Sequence, residues 1–217
     1  MKRLYIIVEG QTEQEFVKTL IAPYLQKHEI FEVTPILIRT SKTGRGGFVN
    51  YQHLKKDAER LLKSEKKDFI VSMFVDFFRC PEVPHKEKWS VKSSHIGQVE
   101  EMERCIKDDI KDVRFIPYIQ LHEFEALLFA SNEGFNSFFD EIQKEKAQRI
   151  INSYDNPEDI NTTPEGAPSK RILAIKEDYD KVLEGNLIAL EIGFSKIMEK
   201  CTRFRAWIEK LIELCKE

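Results

Sequence analysis

The chain alternates between short runs that are apolar throughout and longer stretches where apolar residues return every three or four positions. Leu4–Val8, Val33–Arg39, Phe69–Phe77 and Val113–Leu121 are of the first kind and predict strands. Between them, Phe16, Val17, Leu20, Ile21, Tyr24 and Leu25 share one face of a predicted helix over Glu13–Lys27. Leu54, Ala58, Leu61 and Leu62 mark a second helix, and Ile96, Val99, Met102, Ile106 and Ile110 a third. Strands buried on both faces and separated by helices predict a mainly parallel sheet with helices on each side, an α/β fold. Pro35 has no N–H for a ladder, which places the second strand near an edge.

From Asn132 onward the strand signal stops. A polar stretch, Asn156–Arg171, precedes a closing helical pair marked by Ile188, Ile192, Ile197, Phe204, Trp207, Ile208 and Leu211. We therefore expect an α/β core over residues 1–131 and a helical C-terminal extension over 132–217 packed on that core.

Composition narrows the class. The 41% hydrophobic content supports a sizeable core in 217 residues, and no run of eighteen apolar residues predicts a membrane span. The basic lead of MKRLYIIVEG is followed by an apolar run that stops at a carboxylate, so it reads as a first strand of a cytoplasmic protein and not as a signal peptide. Cys80, Cys105, Cys201 and Cys215 are far apart and make no CxxC pattern, so reduced, packed thiols are expected and a zinc site is not. The net charge of −3 argues against bulk electrostatic binding of nucleic acid, but Ser41–Lys67 carries eight Lys/Arg against three Asp/Glu. That run is either a solvated helix face or a local basic surface.

The candidate chemistry lies where the strands end. Right-handed crossovers bring the carboxyl ends of parallel strands to one rim, the usual ligand position in open α/β sheets. Glu9 follows the first strand, Asp76 closes the third, and Glu123 and Glu125 follow the fourth. Carboxylates gathered at one rim repel, and a hard divalent cation, Mg²⁺ or Mn²⁺, relieves the repulsion while holding phosphate oxygens. Each acid also has an ordinary reading: Glu9 as a loop carboxylate, Glu13 as a first-turn acid answering the helix dipole, Asp76 as a cap, the ExE pair as a solvated strand end. Recurrence at three strand ends favours the metal reading. His122, beside the acids, is either structural or a proton shuttle. The SKTGRGGF loop lacks the P-loop pattern, though Lys42 and Arg45 with its glycines suit contacts to a nucleic-acid backbone.

VEGQTE after the first strand, FVDFF closing the third and HEFEALLF after the fourth resemble the Toprim fold of topoisomerases, bacterial primases and the overcoming-lysogenization-defect (OLD) nucleases. With APSKRI and CTRFRAWIEKL added, nearly the whole chain resembles the small stand-alone Toprim-like proteins of domain-of-unknown-function family 4276. The resemblance implies a Rossmann-like core and a Mg²⁺-dependent nuclease acting on DNA or RNA. It implies Glu9 as metal ligand or general acid/base, Glu13 as the second acid of an ExxxE arrangement, and Asp76 as the first, Mg²⁺-binding acid of a DxD motif. Phe78 stands where the second acid of that motif would be, and Glu123 and Glu125 are expected to replace it. Lys170 and Arg171 are the expected contacts to the scissile phosphate. The alternative implied by the same resemblance is an effector or adaptor of antiphage defence, inert until gated by an ATPase encoded nearby. An oligomer is compatible with either.

Overall fold

The computed structural model describes residues 2–39, 50–64, 68–77, 84, 94–160 and 165–216. Lys42, Arg45 and Phe78 lie outside the described residues. Strands β1 (Arg3–Val8), β2 (Val33–Leu37), β3 (Phe69–Asp76), β4 (Phe115–Ile116) and β5 (Ile119–Gln120) form one parallel sheet in the order β2-β1-β3-β4, with β5 also on β3. Pro35 lies on the outermost strand, β2, where a missing N–H costs least.

The expected fourth strand is present in two pieces. Ser72 pairs with Ile116 and Val75 with Ile119, so the register is unbroken across the gap. Pro117, within the gap, has no N–H to give the ladder, which is why two short strands stand where the apolar run suggested one. The helix expected over Glu13–Lys27 likewise has three parts. It starts as α1 (Gln11–Phe16), widens to a π-helical segment at Val17–Ile21 and closes as α2 (Ala22–Gln26). Pro23 cannot donate to Thr19, and its ring presses on that carbonyl; the wider turn accommodates both.

Alternation along the central strands builds two cores. Leu4, Ile6 and Val8 of β1 with Ile70 and Phe74 of β3 face α1, α7 (Leu183–Ile192), α8 (Phe194–Lys200) and α9 (Thr202–Lys216). Ile7, Val71, Met73 and Val75 face α3 (Tyr51–Ser64) and α4 (His95–Ile110) on the other side. The C-terminal helices thus share a core with the sheet. Trp207 of α9 stacks on Phe74 at 5.5 Å and on Tyr118 at 4.4 Å, and its indole N–H donates to Ser72 Oγ at 3.0 Å. Burying one such aromatic contributes about 1.5–3 kcal/mol. These contacts fix the C-terminal half against β3, and that fixing sets the geometry of the rim.

Candidate functional site

Parallel register puts the carboxyl ends of β1, β3 and β5 at the same edge, because Val8 pairs with Phe74 and Asp76 with Gln120. Glu9 leaves β1 at this edge. Glu13 returns to it from the first turn of α1 and is buried. Gly10 makes that return feasible: a Cβ at this position would stand 2.9 Å from Glu13 Oε2. The room beside Gly10 is thus used by the chain's own carboxylate.

Asp76, the last residue of β3, is buried and accepts a hydrogen bond at Oδ1 from the Phe124 amide at 2.9 Å. That bond ties the β3 end to a 3-10 helix, Phe124–Ala130, every residue of which is buried. Glu125 sits inside that helix with no exposed surface. Among the described residues no hydrogen bond of good geometry reaches either of its carboxylate oxygens. Glu123 precedes the helix, and its Oε2 accepts from the Ser169 amide of α6 (Pro168–Ile175) at 2.9 Å.

A lysine that the sequence reading did not single out completes the cluster. Lys181 Nζ stands 3.2 Å from Glu125 Oε2, 3.6 Å from Asp76 Oδ2 and 3.8 Å from Glu13 Oε1. Three elements therefore supply an oxygen to one ammonium, whose own side chain remains 40% exposed. Burial opposes its charge, but Asp76, Glu125 and Glu13 outweigh burial and raise its pKa. Lys181 lies in KEDYDKVLEG, a run that reads as a solvated turn; nothing in its local pattern separates it from its neighbours.

Burial pushes Asp76 well above the ordinary carboxylate range; Lys181 opposes this, while Glu13, Glu9 and Glu125 add to it. Burial also raises Glu125, opposed by Lys181 and reinforced by Glu123. All five acids at this rim are thus electrostatically linked, Glu9 and Glu13 through Asp76 and Glu123 through Glu125. Among the described residues no three acid, His or Cys side chains form a ready-made metal centre. At the point between Glu13, Asp76 and Glu125 stands the ammonium.

The other expected residues divide. Lys170 is exposed on α6, one residue after the amide that holds Glu123. Arg171 is engaged by the fold: Nε donates to the Gly166 carbonyl at 2.8 Å, and Nη2 to Tyr154 Oη at 3.1 Å. His122 is buried with a left-handed φ of 66°, its ring 5.2 Å from His95. Burial, then His95, lowers its pKa to about 4, so it is neutral at pH 7. It is therefore a neutral imidazole and not a cation at this rim.

Comparison with known proteins gives a family and a fold. The profile of a domain of unknown function, DUF4276, matches residues 8–212. The C-terminal region of the Burkholderia pseudomallei OLD protein is similar at 14% identity and a TM-score of 0.51, covering 99% of each chain. The C-terminal region of the Xanthomonas campestris pv. campestris OLD protein, phased with platinum, is 14% identical, with 99% of this chain and 94% of that one covered and a TM-score of 0.45. The first likeness supports the α/β fold, a mainly parallel sheet flanked by helices; the second is too loose to add to it. No curated protein matches the chain.

Proposed function

The chain belongs to the DUF4276 family, and from the acid cluster at its strand ends we propose that it is a divalent-metal-dependent nuclease of the Toprim type, hydrolysing DNA or RNA phosphodiesters. The observation that carries this reading is the convergence of Glu13, Asp76 and Glu125 on one cationic position, with Glu9 and Glu123 coupled to them. A scaffold gains little from a fully buried carboxylate such as Glu125, which faces the Lys181 ammonium at 3.2 Å but has no well-aligned donor among the described residues, and removing its charge is the cheaper solution. Hard carboxylate oxygens fit Mg²⁺ or Mn²⁺.

Glu9, Asp76, Glu123 and Glu125 would hold the ion, which supplies a polarised phosphoryl oxygen and a water of lowered pKa. The chain's own groups do the rest. Glu13, held at the rim by the Gly10 turn, is the acceptor for the proton of the attacking water. Lys181 places an ammonium where charge develops on the phosphoryl oxygens. Lys170, exposed beside the Glu123 anchor, binds the phosphate of an approaching strand.

Supercoiled plasmid and single-stranded RNA, incubated with the purified chain and Mg²⁺ or Mn²⁺, test this reading. Cleavage is expected that stops with a chelator and in Glu9→Ala and Asp76→Ala. Undiminished cleavage by both variants would remove the site from the reaction.

A second reading has its own observation. Val182, just before α7, and Leu183, Leu187 and Leu190 along it are 43%, 61%, 37% and 45% exposed, following Lys181 in the chain. A contiguous apolar face beside the site suits a partner that gates it, such as an ATPase encoded nearby in a defence system. Under this reading the chain alone is inert, and cleavage appears only when that ATPase is added.

A further inference from the structure

We propose that Lys181 permanently fills one of two cation positions in the acid cluster, so that each chain takes a single divalent ion. The inference rests on the metal-dependent reading above and sharpens it.

The geometry is that of an occupied position. Nζ lies 3.2–3.8 Å from oxygens of Glu125, Asp76 and Glu13, which come from three separate elements and meet only there. Mg²⁺ draws its oxygens in to about 2.0–2.1 Å, whereas an ammonium keeps them near 2.8 Å or beyond. The same three oxygens cannot serve both. A divalent ion in this position would have to expel the lysine.

The chain is built to keep the lysine there. Lys176 Nζ is 2.9 Å from both Asp178 and Glu184, which closes the segment carrying Lys181 on itself. Asp180 Oδ1 accepts the Val182 and Leu183 amides at 2.9 Å each and starts α7 directly after the lysine. Tyr179, on the other side of it, is buried. Asn186 Nδ2, one turn into α7, donates to the Thr12 carbonyl at 3.2 Å and pins that helix to α1. The lysine is thus delivered by a segment anchored at both ends.

The remaining acids define the second position. Glu125 Oε1 is met by no donor among the described residues, Glu9 leaves β1 at the same edge, and Glu123 directly precedes the helix that carries Glu125. These oxygens, with Asp76, are the donors for the single ion, on the side of Asp76 and Glu125 away from the lysine's contacts.

The test counts bound ions without reference to activity. Free Mn²⁺ is measured by room-temperature electron paramagnetic resonance during titration of the whole chain, with Mg²⁺ calorimetry alongside. Wild type and Lys181→Arg should bind one ion per chain, and Lys181→Met two, because three carboxylates then face each other without a cation. Two ions in wild type overturn the proposal outright, even if Lys181→Met does not fold. One ion in both wild type and a folded Lys181→Met, at equal affinity, also overturns it and leaves the metal-dependent reading standing. No ion in any variant overturns that reading itself, and the proposal with it.

Discussion

Two groups of carboxylates largely withdrawn from solvent are treated differently by the fold. Near the start of α9, Glu158 has no exposed surface, yet both its oxygens are met: Oε2 by the Arg203 amide at 2.8 Å, Oε1 by the Phe204 amide at 3.1 Å. Glu103 accepts the Ile119 amide at 2.6 Å and Arg203 Nη2 at 2.5 Å, and the guanidinium lies 4.9 Å over the Tyr118 ring. At the rim, Glu125 is as deeply buried but has one ammonium at 3.2 Å and no hydrogen bond of good geometry. Burial raises the carboxyl pKa in both groups. The difference lies in the donors. An acid held by well-aligned backbone and guanidinium donors is a structural joint, and one without them at a strand end is kept for a ligand.

The sharpest way to break this comparison is to remove the cation from each side. Arg203→Met strips Glu103 of its counter-charge and leaves the Ile119 carbonyl without its side-chain donor. Breaking a buried pair in this way costs about 3–5 kcal/mol. Urea denaturation should show that loss, with the slope of the transition unchanged. A variant as stable as wild type would mean that the joint contributes nothing and that the two groups are alike.

At the rim the sign reverses. Glu125→Gln keeps the shape and removes one of several mutually repelling charges, so stability should hold or rise by about 1 kcal/mol. Divalent-ion binding should fall at least tenfold in calorimetry. Loss of stability comparable to that of Arg203→Met would show Glu125 to be a structural residue.

Proton linkage gives a third comparison. Asp76 and Glu125 hold their protons in the folded chain above the ordinary values of 3.8 and 4.5. Between the unfolded and folded pKa the folded chain binds more protons, so its stability falls as pH rises through that window. Their contribution is complete below the ordinary values and lost above the folded ones. Melting temperatures of wild type and of Asp76→Asn/Glu125→Gln should therefore converge at acid pH and separate towards neutrality, with the variant higher. Glu103 and Glu158 are raised in both proteins, and their slope should remain.

The sheet was legible because its physics is periodic. Runs such as FIVSMFVD, apolar on both faces, have few alternatives to a central parallel strand. Position along a strand also made the acids legible, since Glu9, Asp76 and Glu125 are placed by backbone topology alone. Two interruptions were readable in principle from Pro23 and Pro117, which remove specific backbone donors. Lys181 was not readable. It reaches the rim through the docking of α7, fixed by long-range contacts such as Asn186 to Thr12, and no spacing in the sequence encodes that approach. Arg171 is a second case. The family resemblance of APSKR implied a phosphate contact for it; the tertiary fold also brings Tyr154 and the Gly166 carbonyl to its guanidinium, which no spacing in the sequence encodes.

The smallest effect on stability is expected at Lys170, and for that reason it separates the two lysines most cleanly. It is exposed on α6, beside Ser169, whose amide fixes Glu123. An exposed lysine of this kind changes stability by no more than about 0.5 kcal/mol when truncated. If it binds the phosphate of an incoming strand, Lys170→Ala should raise KM for oligonucleotide cleavage severalfold and leave kcat and the Mn²⁺ count unchanged. Lys181→Met should do the reverse and alter the ion count first. Added salt should weaken wild-type binding of the oligonucleotide more steeply than binding by Lys170→Ala, because one phosphate contact has been removed. Equal salt slopes would place Lys170 outside the path of the strand and leave Lys181 as the basic group at the rim that meets the phosphate.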